Sequence, residues 1–287
     1  MHESIAPRAT VLEGLPIQRV LPTRARRSVG PFVFLDQMGP AALLAGAGVD
    51  VPPHPHIGLC TLTYLLAGAL DHRDSLGVLQ TIRPGAVNWM VAGRGVTHSE
   101  RSPAAERAGA ATLDGVQAWV ALPPEHEEVA PAFEHHPEAS LPVVEREGVA
   151  LRVLVGAAFG AAAPARTWSP MFYVDARWAR DGELILDPAL GERAAWPLAG
   201  TFSADGLWCP PGHLAVFRDG APVTLRAEAG TRVLLLGGER RQAPLHVHWN
   251  YVSADPARID AAKARWARGA FPPVVGDDGA PAVDPRP

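Results

Sequence analysis

His54-Pro55-His56 and His98-Ser99-Glu100 are the residues of this 287-residue chain best suited to chemistry. Each is an i, i+2 pair, and on an extended backbone alternate side chains share a face. If residues 54 to 64 form one unbroken strand, the His54 and His56 Cα atoms sit about 6.5–7 Å apart. Both imidazoles then converge on one ion, and Gly58 leaves room beside them. On the same reading Cys60, Leu62 and Tyr64 share their face. His98 and Glu100 repeat the geometry after a tight turn that Gly93 and Gly95 allow. Three imidazoles and one carboxylate form a ligand set for a divalent transition metal. The set suits Fe(II), and also Zn, Ni, Cu or Mn; the sequence does not choose among them.

Strands must bring the two pairs together, and the segment between them reads as strands. Thr61 to Leu66 is β-branched and apolar and ends at Gly68. Asp71 to Gly77 is a polar, turn-rich connection. Val78 to Ile82 restarts a strand, which Pro84-Gly85 closes with a turn. Val87 to Val91 and Val96 to Glu100 follow. Turn signals about every ten residues predict a barrel or sandwich. A second β-rich region includes Leu151 to Val155, Met171 to Ala176, Glu183 to Leu186, His213 to Phe217, Val223 to Leu225 and Arg232 to Leu236. Pro211-Gly212 and Gly220 punctuate it much as Pro84-Gly85 and Gly77 punctuate the first, a weak repeat that predicts two barrels of one kind.

The expected division is residues 1–125 as the metal-bearing barrel, 126–145 as a connector, 146–245 as a metal-free barrel, and 246–287 as a helix and tail. The connector is rich in Glu, His and Pro, so His126, His135 and His136 are expected to be solvated. Asp255-Pro256 can cap and start the helix, Ile259, Ala262 and Trp266 share one of its faces, and Gly269 can end it. From Pro273 the chain is Pro, Gly, Asp and Ala, and reads as a loose or surface-tethered tail.

Bulk properties narrow the classes. Hydrophobic residues are 47% and charged residues 20%, which fits a folded globular chain. Twenty-eight glycines and 29 prolines favour many short strands over helix bundles. A net charge of -4 provides no electrostatic footprint for nucleic acid or an anionic membrane. Two cysteines exclude a disulfide framework and fit a reducing compartment. No apolar run approaches membrane-spanning length, and Pro31 and Asp36 interrupt the one stretch resembling an export signal. A cytoplasmic protein is expected.

Competing readings of single motifs are easily weighed. A lone histidine is usually a satisfied core or surface residue, and His246-Val247-His248 is a second HxH pair that no carboxylate pair matches; it reads as structural. Gly93-Arg94-Gly95 is not a phosphate loop, because His98 stands where a third glycine would be and the segment reads as strand. No G-x-S-x-G elbow occurs. His72, Arg73 and Asp74 can hydrogen-bond around the pocket, but the turn-stabilising reading comes first. Trp89 and Met90 read as core or pocket lining.

Four long words carry a family resemblance: Val29 to Pro40, Pro53-His54-Pro55-His56-Ile57-Gly58-Leu59, Asp71-His72-Arg73-Asp74-Ser75-Leu76-Gly77, and Arg83 to Arg101. In this order and spacing they closely resemble the pirin family. His248 to Ser253 and the helix after it resemble a bacterial branch of that family. The resemblance implies an all-β bicupin, two antiparallel cupin barrels with a C-terminal helix, with the metal in the N-terminal barrel only. Carried over by position, the ligands would be His54, His56, His98 and Glu100, around one divalent metal, with Fe(II) first. Many pirins have a glutamate where this chain has Cys60, a residue expected on the metal side and expected to be inert rather than to tune the ligands or sense oxidants.

The resemblance implies two functions from different classes. One is a metal-dependent dioxygenase acting on flavonols such as quercetin, with O2 as co-substrate and carbon monoxide released. In it the metal holds the 3-hydroxyl as an alkoxide, and Glu100 acts as ligand and as the catalytic base receiving that proton. The alternative is a metal- or redox-sensing regulator that binds a protein partner. Direct nucleic-acid or membrane binding is not expected, and a monomer is the default for two fused barrels.

Overall fold

The structure, a computed structural model, describes residues 3–285. Met1, His2, Arg286 and Pro287, which belong to the expected first and last segments, lie outside the described residues. The chain folds into two compact units, and neither is a single contiguous segment. The first holds Ala9–Ile17, Leu35–Glu138 and the chain from Gln242 onward; the second holds the chain up to Arg8, Gln18–Phe34 and Ala139–Arg241. The chain therefore passes between the units several times.

The strands up to the connector are β1 (Glu3–Ile5), β2 (Arg8–Leu12), β3 (Leu15–Leu21), β4 (Phe32–Leu43), β5 (Asp50–His56) and β6 (Leu59–Ala67). They continue as β7 (Leu70–Asp74), β8 (Leu79–Ile82), β9 (Val87–Val91), β10 (Val96–Arg101), β11 (Ala111–Ala121) and β12 (Ala132–His136). Two sheets form the first barrel. One has seven strands in the order β12-β9-β6-β11-β4-β3-β2, the other four in the order β5-β10-β7-β8. The pairs that carry the site are antiparallel. β5 contains Pro52, Pro53 and Pro55 and stands at the edge of the four-stranded sheet; Pro53 and Pro55 face its outer side, where a missing N–H leaves no ladder bond unmade, and Pro52 falls at the register shift against β10. β12 lies within the segment expected to be a connector, and it pairs with β9 as an ordinary strand of this barrel.

The second unit repeats the design with β13 (Val143–Arg146), β14 (Val149–Ala158), β15 (Ala161–Ala162), β16 (Met171–Trp178), β17 (Gly182–Leu186) and β18 (Glu192–Ala199). It continues with β19 (Phe202–Ala204), β20 (Leu207–Cys209), β21 (Leu214–Val216), β22 (Val223–Ala227) and β23 (Arg232–Gly238). Its sheets run β1-β21-β18-β23-β16-β14-β13, with β15 beside β14, and β17-β22-β19-β20. Alternate residues of these strands, among them Val149, Leu151, Phe172, Val174, Trp178 and Leu225, fill the interior with apolar side chains. The architecture is two barrels, as the turn spacing and the repeat predict, and they are of the cupin type that the family resemblance implies.

After the second barrel the chain returns to the first unit as a hairpin, β24 (His246–His248) and β25 (Tyr251–Ser253), followed by helix α1 (Pro256–Ala267). The Asp255 side chain accepts from the Ala257 N–H and Pro256 occupies the first turn, so the cap forms as its sequence dictates. Ile259 and Ala262 are buried against Ile57, Tyr251 and Phe271. Buried Glu127 ties this segment down: Ser253 Oγ, the Ala254 N–H and the Arg258 guanidinium all donate to its carboxylate. No helix among the described residues is long and apolar enough to cross a membrane.

The tail is tethered rather than loose. Asp277 accepts from Ser99 Oγ at 2.6 Å and from the Arg101 guanidinium at 2.6 and 2.8 Å. The Ala282 N–H donates to Pro53 O, the Val275 N–H to Asp74 O, and Trp266 Nε1 to Ala282 O. Of the two readings of its composition the tethered one describes it, because polar loop residues make good tethers wherever the barrel surface offers partners.

Candidate metal centre

β5 and β10 are neighbours, and their register sets His98 opposite His54 and Val96 opposite His56. Paired residues of neighbouring strands share a face, so the three imidazoles meet inside the barrel. Their ring centroids lie 4.3 Å apart for His54 and His98, and 5.0 Å apart for the other two pairs. One nitrogen of each lies within 4.8 Å of the others, and all three rings are buried.

Hydrogen bonding decides which nitrogens face inward. His54 Nδ1 lies 2.9 Å from Pro52 O, and His56 Nδ1 lies 3.1 Å from Asn250 O. A carbonyl only accepts, so both Nδ1 atoms carry the proton and both Nε2 atoms carry a lone pair. His98 Nδ1 lies 3.4 Å from His72 Nδ1, and His72 Nε2 lies 3.0 Å from Asp74 Oδ2. His98 Nε2 is buried and has no hydrogen-bond partner among the described residues. An orphaned buried nitrogen is costly unless something occupies the space it faces. The donor chemistry, the convergence and the orphaned Nε2 fit a divalent transition metal.

Burial keeps these rings neutral, which ligation requires. It lowers the His54 pKa to about 4, partly opposed by the bond to Pro52 O. His56 and His98 are pushed well below the ordinary imidazole value, first by burial and then by the neighbouring histidines.

Glu100 stands elsewhere. It pairs with Val51 on β5 and with His72 on β7, and a register shift separates it from His98 along β5. Its carboxyl is raised by burial, with a hydrogen bond from Thr63 working against the shift. The structure thus gathers His54, His56 and His98 into one group and leaves the Glu100 carboxylate outside it, bonded to Thr63.

The facing wall comes from the seven-stranded sheet. The Trp119 ring is edge-on to His56 at 5.2 Å, and Phe133 stacks on His72 at 4.3 Å. Thr61 pairs with Met90 and Trp119, and Thr63 with Asn88 and Gln117, so these residues share the metal-side face. Thr63 Oγ1 lies 2.8 Å from Gln117 Oε1, so its one hydroxyl proton is shared between that oxygen and the Glu100 carboxylate. His135 Nδ1 lies 2.7 Å from Asn88 Oδ1; it sits on strand β12 beside this face and not in a solvated connector.

Cys60 is on the opposite face. It pairs with Val91 and Val120, one residue out of phase with Thr61 and Trp119. The unbroken strand over residues 54 to 64 does not form, because Gly58 adopts φ +69° between β5 and β6 and resets the alternation. A Cβ on Gly58 would stand 1.9 Å from Val252 O, so this glycine admits the β25 backbone rather than making room for ligands. The Cys60 thiol is fully buried and pushed well up by burial and by Glu134, an inert setting. The second HxH pair gathers nothing: His246 is exposed, and His248 Nε2 bonds Asp284 Oδ2 at 2.8 Å. Trp89 is core, on the face with Leu62, while Met90 is on the metal side.

Sequence reasoning ranked turn stabilisation above pocket hydrogen bonding for His72 and Asp74, and missed Trp119 and Asn250. His72 and Asp74 form a third i, i+2 pair between the two ligand motifs, a signal that could have been heard.

A cupin barrel holding three converging, neutral, buried imidazoles defines a metal-binding cupin. The pirin family model matches residues 14–120, and the pirin C-terminal cupin domain model matches residues 173–272. Over 261 residues the chain is 46% identical to a pirin-like protein of Caulobacter vibrioides, a match that covers 90% of each chain. A crystal structure of quercetin 2,3-dioxygenase from Acinetobacter baumannii matches with a TM-score of 0.91 at 34% identity, covering 99% of this chain and 94% of that one. A second crystal structure under the same enzyme name and organism matches at 0.86 with 26% identity, covering 94% and 96%. This chain belongs to the pirin family.

Proposed function

We propose that the protein is a metal-dependent dioxygenase that opens the central ring of flavonols such as quercetin, with Fe(II) on His54, His56 and His98 and with Glu100, once its carboxylate turns from Thr63 towards them, as the fourth ligand. The observation that carries this reading is the group of three buried histidines whose ring nitrogens converge, with the Nε2 lone pairs of His54 and His56 set by the carbonyls on their Nδ1 atoms. The likeness to quercetin 2,3-dioxygenase structures supports the substrate class. A bound divalent ion would supply a Lewis acid that acidifies a flavonol hydroxyl and a redox centre suited to dioxygen.

The chain's own residues do the rest. Burial holds the three imidazoles neutral, and the Nδ1 donors of His54 and His56 are each tied to a fixed carbonyl, so those two ligand atoms are preorganised. Glu100, raised by burial and held by Thr63, is the base that takes the substrate hydroxyl proton. Trp119, Met90 and Phe133 offer aromatic and apolar surface to a flat substrate.

The test uses chelator-stripped protein reconstituted anaerobically with Fe(II), then mixed with quercetin and air. Loss of flavonol absorbance and release of carbon monoxide are expected, and His54→Ala and His98→Ala should lose both bound metal and turnover. Full cleavage by metal-free protein, or a kcat/KM far below roughly 10⁴ M⁻¹s⁻¹ after loading, would overturn the reading.

A further inference from the structure

We propose that Asp74 and His72 act together as a positioning relay that fixes the tautomer of His98 and so presents its Nε2 lone pair to the metal. The proposal rests on the reading of His54, His56 and His98 as ligands, and adds two residues that touch no metal. Of the three histidines, His98 alone has no carbonyl behind it; its Nδ1 faces another imidazole, His72 Nδ1, at 3.4 Å. Two imidazole nitrogens can share one proton in either direction, so this contact alone leaves the His98 tautomer open.

Asp74 settles the direction. Its Oδ1 accepts from the Leu76 and Val78 N–H groups at 2.8 and 3.1 Å, and its Oδ2 faces His72 Nε2 at 3.0 Å. A carboxylate only accepts, so His72 Nε2 donates; the relay takes this as the one proton on the ring, which leaves Nδ1 to accept. His98 Nδ1–H is then the donor, and its buried Nε2 is left with a lone pair. The ladder makes this possible, because β7 lies beside β10 with Asp74 opposite His98 and His72 opposite Glu100. His72 is further clamped by the stacked Phe133 ring. Asp74 therefore has two tasks: one oxygen closes the turn after β7, and the other orients the relay.

The same geometry makes Asp74→Asn a sharp probe. The Leu76 and Val78 N–H groups require an oxygen at the Oδ1 position, so the new NH2 group must face His72. His72 Nε2 would then accept, its Nδ1 would carry the proton, and His98 would be driven to place its own proton on Nε2. The fold keeps its turn while the relay runs backwards.

The experiment compares full-length wild type, Asp74→Asn, His72→Gln and His72→Leu. Histidine tautomers are read in metal-free protein by long-range ¹H–¹⁵N NMR, and Co(II) affinity by competition with a chelator. Wild type should show His98 protonated on Nδ1. Asp74→Asn should invert it and weaken Co(II) by about 10- to 100-fold. His72→Leu, with no acceptor, should weaken Co(II) comparably, whereas His72→Gln, whose side-chain oxygen can accept from His98, should recover most of the loss. An unchanged His98 tautomer with wild-type Co(II) affinity in Asp74→Asn overturns the relay. If Asp74→Asn does not fold, equal affinities for His72→Gln and His72→Leu overturn it instead. Wild-type protein that binds no Co(II) would sink the metal assignment itself, a separate failure.

Discussion

Acidifying the metal-free protein from about pH 7.5 to about pH 5 puts the electrostatics of the histidine group to a direct test. Burial holds His54 neutral down to about pH 4, against 6.5 for an unperturbed imidazole. Between these values the unfolded chain binds a proton at His54 that the folded chain does not. The stabilising contribution is thus complete above pH 6.5, falls as the pH drops, and levels off below about 4. Each tenfold difference in proton affinity between the two states is worth about 1.4 kcal/mol. His54 alone therefore accounts for a loss of about 2 kcal/mol by pH 5 and about 3 kcal/mol over the whole window. His56 and His98, held lower still by burial and by each other's neighbourhood, act in the same direction.

The assay is urea unfolding of chelator-treated protein across this range, for wild type and for His54→Gln. Wild type should lose several kcal/mol, and the variant about 2 kcal/mol less. A metal that binds only the folded state should flatten the slope where it remains bound, since it opposes the same protonation. Wild-type stability unchanged between pH 7 and 5, or equal slopes for the two proteins, would refute the claim that burial holds His54 neutral.

Two further outcomes follow from other parts of the first unit and from the buried thiols. Asp277→Asn weakens the links from the tail to Ser99 and Arg101, and Arg101 holds the Asp277 carboxyl well below the usual range. A loss of roughly 2 kcal/mol is expected, with faster metal release because Ser99 lies between His98 and Glu100; a urea midpoint and a release rate matching wild type would remove the tail from the account. Cys60 and Cys209 are fully buried, and burial raises both thiols, Cys209 to about 11. A disulfide reagent at neutral pH should find no fast-reacting thiol in the native protein and two after denaturation, and a rapid single equivalent would show that one of the two pockets is open.

The barrels and the three histidines were legible because they rest on short-range rules. Alternation by two places His54 with His56, and turn signals bound the strands whatever the tertiary context. Errors began where one backbone angle changed the phase. Gly58 at φ +69° breaks the alternation that would have carried Cys60 to the metal side, and nothing in the local word distinguishes a glycine in a strand from one that ends it. His135 escapes periodicity for the opposite reason: its neighbours are polar, yet β12 gains its place by pairing with β9 rather than by its own pattern. The tail and Asn250 depend on contacts across more than a hundred residues, beyond the reach of periodicity.

The three ligand histidines differ in what stands behind them, and this difference gives the site its structure. His54 leans on its own strand, through a carbonyl two residues back, on an edge strand whose prolines leave few alternative pairings. His56 leans on the hairpin after the second barrel, which buried Glu127 anchors. His98 leans on a neighbouring strand through two side chains. A substitution behind one ring should loosen that ring while leaving the other two in place, because the three supports share no residue. Metal affinity should therefore fall in separate steps rather than collapse at once. Asn250 acts through its backbone carbonyl, which side-chain substitution cannot remove, so the step at His56 is reached through Glu127 instead. Asp74→Asn and Glu127→Gln combined should then lower Co(II) affinity by close to the product of their single effects, as independent sites do.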